Sequence, residues 1–185
     1  DNENTALKDK NLFELEFNAI FSAISENLKS RKKIRILELG CGTGFLIKKI
    51  IEKFNKSDVL LLCDCVDFSK EAIELAREKK IKNVNFYCED FFDFFKNYNQ
   101  IYDFIISQRS IMAIMDHNKQ INLLNHIQNS LNKTGIGILS ECFEEQLIKL
   151  NNIRNDMGLK NIEKVWHSLY LTRDQFKNIF INVKF

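Results

Sequence analysis

Apolar residues along this chain fall into two patterns that take turns. Residues 34–46, IRILELGCGTGFL, begin as an apolar run with β-branched residues and reach Glu38. They then place glycine at every second position, Gly40, Gly42 and Gly44. Residues 45–51 follow with the spacing of a helix packed on one face, so the unit reads strand, glycine turn, helix. Residues 59–68, VLLLCDCVDF, are a nearly continuous apolar run ending in an acid, as in a parallel strand buried on both faces. Ser69 is placed to cap a helix over 70–80, with Glu71 and Glu74 near its start. Residues 84–90 and 102–107 predict a third and fourth strand, 119–131 a helix, 133–135 a turn and 136–140 a fifth strand. Ahead of them all, Leu12, Phe13, Leu15, Phe17, Ile20, Phe21 and Ile24 predict a helix over 11–30 that covers a sheet face or lies over a ligand. This alternation predicts an α/β fold: a doubly wound, mostly parallel sheet with helices on both faces.

The glycine turn carries the first chemistry. Without Cβ atoms the backbone can take positive φ and let a ligand lie against it, and the following helix points its free N–H groups back at that ligand. A dinucleotide fingerprint wants its third glycine three places after the second; here that place is Phe45, and the third glycine, Gly44, comes one residue earlier. Glu38 would repel a pyrophosphate but suits a cation, held directly or through water. Glu38-Leu39-Gly40-Cys41-Gly42-Thr43-Gly44 resembles the first motif of the class I S-adenosylmethionine-dependent methyltransferases, an acidic residue followed by G-x-G-x-G. The resemblance implies a Rossmann-like sheet of seven strands, S-adenosylmethionine as methyl donor and S-adenosylhomocysteine as product. The donor would be held by Glu38, Gly40, Cys41, Gly42 and Gly44.

Further positions follow the same family. Asp67 stands 23 residues after Gly44, near the distance of about 20 at which a doubly wound fold offers an acid to ribose hydroxyls. Val66-Asp67-Phe68-Ser69 with Ala72 and Ala76 looks like the second motif, which makes Asp67 the ribose ligand and Phe68 an adenine neighbour; Asp64, inside the strand, is the alternative. Asp90 and Phe91 match the pair that in the family meets the adenine amine and ring, although Asp90 would equally cap the next turn. The phenylalanines of 91–95 read as core rather than a ligand cage. Tyr102-Asp103-Phe104 opens the fourth strand, which ends in Ser107-Gln108-Arg109-Ser110, placing Ser107 at the donor. Arg109 there suits an anionic group on the acceptor, or else caps a helix or lies on the surface. The chain has no proline, so it lacks the proline-bearing motif with which methyltransferases of base amines follow this strand.

Beyond the fifth strand, Glu141, an L-N-x-x-R element with Arg154, and a W-H-x-x-Y element with Trp166, His167 and Tyr170 resemble a bacterial subset associated with small-molecule or surface-glycan modification. The resemblance implies a small acceptor such as a sugar or sugar phosphate, methylated on oxygen, and Arg109 with Arg154 suggests that it bears a phosphate or carboxylate. Arg109, Arg154, Trp166 and Tyr170 would bind it. Methyl transfer needs an in-line acceptor and exclusion of water. A hydroxyl acceptor adds a general base, for which His167 leads because imidazole titrates near neutrality. Glu141 follows as base or as the group orienting His167, then His117, while His126 reads as a surface residue; a structural role for His167 stays open. Two other classes stay open too: a non-catalytic donor-binding subunit that supports a partner, and a nucleotide-dependent oxidoreductase, which Phe45 and Glu38 disfavour.

Composition narrows the setting. At 185 residues with 45% apolar content the chain suits a single domain, with residues 1–33 as a helical cap. The formal charge of +2 is spread without a dense basic stripe, against nucleic acid as partner. The five cysteines, Cys41, Cys63, Cys65, Cys88 and Cys142, read as reduced thiols of a cytoplasmic protein, and no further ligands make Cys63 and Cys65 a zinc site. No apolar run is long enough for a bilayer and no signal peptide is visible. The first residue is not Met. Class I folds close with an antiparallel strand pair after the fifth strand, and only residues 180–185 offer a candidate, so the last strand is expected to be missing or the chain cut short.

Overall fold

The computed structural model describes residues 9–28, 30–55 and 57–180. The chain divides into two compact units, Asp1–Gln108 with Ser130–Ser140, and Arg109–Asn129 with Glu141–Phe185.

The first unit is a parallel sheet of five strands, β1 (Lys33–Leu39), β2 (Leu60–Asp67), β3 (Val84–Cys88), β4 (Tyr102–Gln108) and β5 (Leu131–Ser140), in the order β3-β2-β1-β4-β5. The reversal of strand order beside β1 is the point at which open α/β sheets bind ligands, beyond the carboxyl ends of the strands. The register pairs Ile36 with Cys63 and Phe104, and Glu38 with Cys65 and Ile106. Alternate residues point to opposite faces, so these side chains share one face. Helices α1 (Lys10–Asn27), α2 (Phe45–Phe54) and α3 (Lys70–Glu78) bury Phe13, Phe17, Ile20, Ile24, Leu46, Ile47, Ile50 and Ile73 in the same core. On α1 the buried positions recur at helical spacing, and burying each such side chain contributes about 2 kcal/mol. Helix α4 (Phe91–Asn97) serves the other face, where Phe94 packs edge-on to Tyr87 of β3.

Polar side chains fix the strand starts. Asp103, from the Tyr-Asp-Phe opening of β4, accepts from Arg31, the Arg35 amide and Asn132. On the face served by α4, Asp64 accepts from Tyr102 (3.0 Å) and Asn85 (2.9 Å) and pairs with Arg35.

The expected turn at 133–135 lies inside β5, which already begins at Leu131, and the register slips between Tyr102 and Phe104. A bulge there replaces the turn, because the pairing with β4 starts earlier than the apolar pattern suggests. Five strands, not seven, occur among the described residues. The sixth candidate, 180–185, falls almost wholly outside them.

The second unit holds a 3-10 turn (Ile111–Ala113) and helices α5 (His117–Ser130, whose last residue belongs to the first unit), α6 (Glu144–Asp156) and α7 (Arg173–Lys177). Helix α5 buries Gln120, Leu123, Leu124 and Ile127, whereas α6 buries no residue. No helix among the described residues is long and apolar enough to cross a membrane.

Candidate functional site

In the first unit, the turn after β1 is held by its own backbone and by one carboxylate. The Gly40 and Cys41 amides both donate to Val66 O at the end of β2 (2.8 and 3.1 Å). The Gly42 amide donates to Asp67 Oδ2 (2.8 Å), and the Ser69 amide to Asp67 Oδ1 (2.9 Å). Asp67 thus locks the loops after β1 and β2 to each other, and each of its oxygens keeps a second lone pair for a ligand. Gly42 and Gly44 have φ of +51° and +72°, where an L side chain is strained. Their surroundings differ. A Cβ at Gly42 would meet no heavy atom within 4 Å, so the loop presents open space there. At Gly44 it would lie 2.9 Å from the ring of Phe86. The first glycine leaves room for a ligand against the chain and the second lets α2 pack on β3. Thr43 of this loop also accepts from Lys79, the residue just after α3 (3.4 Å), a tie that no spacing in the sequence signals.

Glu38 sits beneath the loop with 3% of its surface exposed. Burial pushes its carboxyl up to about 8; the Cys65 thiol and the Ile47 amide of α2 pull the other way, and the charge of Asp67 adds to the rise. The Cys65 Sγ lies 3.8 Å from Glu38 Oε2, and burial holds that thiol well above its ordinary value. A carboxyl so placed gains from a cation. S-adenosylmethionine fits the loop on three counts: open space at Gly42, an acid for its ammonium, and Asp67 for a cis-diol.

The remaining donor candidates lie at the carboxyl ends of the same strands. Phe68, just after β2, is 77% exposed, a flat apolar face open to a ligand. Asp90 caps α4 by accepting from the Phe92 amide (2.8 Å), which is its simpler reading, and Phe91 beside it is half-buried. Ser107, paired with Leu39, is completely buried. Asp64, the alternative to Asp67, points to the opposite face and is engaged with Tyr102 and Asn85. No group of three His, Cys, Asp or Glu side chains suited to a metal occurs among the described residues.

In the second unit, the carboxylate of Glu141 accepts from three consecutive amides, Ser110 and Ile111 (both 3.1 Å) and Met112 (3.3 Å). The segment it holds begins with Arg109, whose φ is +55°. Trp166 (88% exposed) and the exposed His167 meet edge to face with centroids 5.2 Å apart. Tyr170 is half-buried with Lys164 over its ring. In the L-N-x-x-R element, Asn151 exchanges two hydrogen bonds with the backbone of Ile162 (2.8 and 3.0 Å), and Arg154 Nε donates to Lys160 O (2.7 Å). These two residues, one helical turn apart on α6, therefore fold the following loop back on the helix. Sequence reading missed Gln120, a wholly buried amide on α5. A lone glutamine within a helical pattern gives no signal.

Comparison with known proteins adds the family. A model described as a methyltransferase domain matches residues 30–183. A malonyl-[acyl-carrier protein] O-methyltransferase of Bacillus cereus is 29% identical over 166 residues, 87% of this chain and 58% of that protein. A protein of the same description from Ilyobacter polytropus is 37% identical over 110 residues, 57% of this chain and 37% of that one. The chain thus spans about half the length, or less, of these curated relatives. Among solved structures, a plantazolicin methyltransferase in complex with S-adenosylhomocysteine superposes with a TM-score of 0.66 at 19% identity, covering 89% of this chain and 60% of that one. An S-adenosylmethionine-dependent methyltransferase from Clostridium acetobutylicum gives 0.60 at 22% identity, covering 75% and 54%. Both share the fold.

Proposed function

The chain belongs to the methyltransferase-domain family, and from that premise we propose that it carries the methyl group of S-adenosylmethionine to a carboxylate oxygen of a small or carrier-bound acyl thioester. The observation that supports this reading is the similarity to malonyl-[acyl-carrier protein] O-methyltransferases over 87% of the chain. It keeps the anionic acceptor and the O-methylation expected from the sequence and replaces the sugar with a carboxylic acid. When bound, the donor supplies an electrophilic methyl: the carboxylate oxygen bonds to that carbon as the carbon–sulfur bond breaks, its electrons stay on sulfur, and no proton moves.

A carboxylate acceptor changes what the residues must do. It arrives already ionised, so no general base is needed, which agrees with a Glu141 occupied by backbone amides and an exposed His167. Asp67 takes the ribose hydroxyls, Glu38 the ammonium, and the backbone of Gly40, Cys41, Gly42 and Gly44 lies along the amino-acid end. Phe68 and Phe91 flank the adenine, Asp90 accepts from its amine, and Ser107 shapes the floor. Arg109 holds the acceptor carboxylate with the planar fork suited to it. Arg154, whose Nε serves Lys160 O, is the second cation, and Trp166, His167 and Tyr170 border the acyl chain. Sulfonium and carboxylate neutralise one another in the reaction, so excluding water speeds it.

The test is transfer of labelled methyl to malonyl-coenzyme A, malonyl-acyl carrier protein, sugar phosphates and nucleotide sugars. A base-labile methyl ester on a malonyl acceptor is expected; label on a sugar alone overturns the reading. S-adenosylhomocysteine binding with no turnover on any acceptor would instead favour a non-catalytic subunit, a reading that the occupied Glu141 also fits.

A further inference from the structure

Gln120, on α5 in the second unit, has no surface exposed. Its Nε2 donates to Ile111 O (3.3 Å) and to Leu169 O (2.8 Å). Its Oε1 lies 3.1 Å from His117 Nδ1 and accepts from Gln175 Nε2 (3.3 Å), which itself lies 3.2 Å from His117 Nδ1. Gln175 is fixed in turn, because its own oxygen accepts from the Thr172 amide in the capping box of α7. The amide of Gln120 therefore cannot flip without losing bonds at both ends. Around it, Leu169 N donates to Met112 O (2.8 Å), and Glu141 takes the Ser110, Ile111 and Met112 amides. All four backbone polar groups of Ile111 and Met112 are committed.

We propose that Gln120 is a positioning residue for methyl transfer: its carboxamide, oriented by His117 and Gln175, fixes the segment that carries Arg109 to the segment that carries Trp166, His167 and Tyr170. The proposal rests on the acceptor roles given to those four residues above. Gln120 itself touches neither donor nor acceptor. It acts by holding two loops in one register, and a misplacement of about 1 Å is enough to cost on the order of 100-fold in rate. The Leu169 carbonyl, which Gln120 answers, explains why an amide occupies a position at which the helical pattern calls for an apolar residue; Ile111 O has a second donor in the Ile114 amide (3.0 Å). An unanswered buried acceptor destabilises by about 1–3 kcal/mol.

The experiment compares Gln120→Met, His117→Phe, His117→Asn and, as a control for lost packing on the same helix, Leu123→Ala. Each is measured for melting temperature, S-adenosylhomocysteine affinity, amide exchange at Met112 and Leu169, and kcat and KM with malonyl-coenzyme A. Gln120→Met is expected to keep donor affinity within about twofold, to speed exchange at Leu169, and to lower kcat/KM by about 30- to 100-fold. Leu123→Ala, at a comparable loss of melting temperature, should change kcat/KM by less than about threefold. His117→Phe should lose about fivefold, and His117→Asn, which puts an amide nitrogen where Nδ1 was, should recover most of it. Wild-type exchange at Leu169 in Gln120→Met, a rate loss no larger than that of Leu123→Ala, or equal losses in the two His117 variants would each overturn the proposal. If wild type methylates no malonyl acceptor, the acceptor reading fails instead, and the exchange and affinity measurements still decide whether Gln120 holds the two segments.

Discussion

The proposed donor loop in the first unit and the polar clamp in the second solve the same problem, a fixed stretch of backbone, by opposite means. The donor loop is made by a short contiguous stretch: three glycines, one strand before and one helix after, with backbone amides tied to Val66 O and Asp67. It rests on a core in which Ile34, Ile36, Ile47 and Ile50 have no exposed surface. The clamp is assembled from side chains far apart in sequence: Gln120 and Glu141 bond to distant backbone, and Gln175 bonds to Gln120. Beside it α6 buries nothing, and Ile148, Leu150, Ile153, Met157 and Trp166 stand exposed. The glycine loop needs only its own backbone and the end of the neighbouring strand β2 to hold it. A loop fixed by distant side chains can be retuned one substitution at a time, which suits the acceptor-binding role proposed for this unit.

That contrast breaks most sharply at Asp67. Asp67→Ala removes the acceptor for the Gly42 and Ser69 amides together with the proposed ribose ligand, and is expected to weaken S-adenosylhomocysteine at least about 100-fold by calorimetry, since hydrogen bonds to a charged group are worth about 1.5–3 kcal/mol each. Unchanged affinity would remove the donor loop from the binding site. Gly44→Ala comes next. Its Cβ meets the Phe86 ring at 2.9 Å at a φ of +72°, so about 2 kcal/mol of stability should be lost, and adding Phe86→Leu should return part of it. No recovery in the double variant would show that backbone strain alone sets the cost.

Glu38 sharpens the comparison through pH. Its carboxyl is raised by burial from 4.5 to about 8, so between those values the folded chain keeps a proton that the unfolded chain has released. Its contribution to stability is then complete below pH 4.5 and is lost as pH climbs through about 8. Chemical denaturation of wild type should show this decline, and Glu38→Gln should flatten it; an identical profile in the two would refute it. The smallest effect is expected in the second unit. Asn151→Ala, which frees the Ile162 backbone at an exposed site, should cost about 1 kcal/mol or less with donor affinity unchanged.

Sequence alone determined the strand-turn-helix unit at 34–51 and the parallel order of elements, and it singled out Glu38 and Asp67 as the acids proposed to hold the donor, because each is carried by local chemistry: β-branched runs, glycine spacing, an acid at a strand end. It also named Glu141 and the L-N-x-x-R and W-H-x-x-Y elements as important. Only the tertiary structure decided what they do: Glu141 receives three amides, and Asn151 and Arg154 staple a loop; it also put the Phe86 ring 2.9 Å from where a Cβ at Gly44 would lie. It alone revealed Gln120, and it turned the expected break at 133–135 into a bulge within β5. The physical reason is range. A backbone conformation is dictated by the residues that adopt it, whereas a hydrogen bond between positions 120 and 169 leaves no periodicity in the chain and exists only once the fold has brought its two ends together.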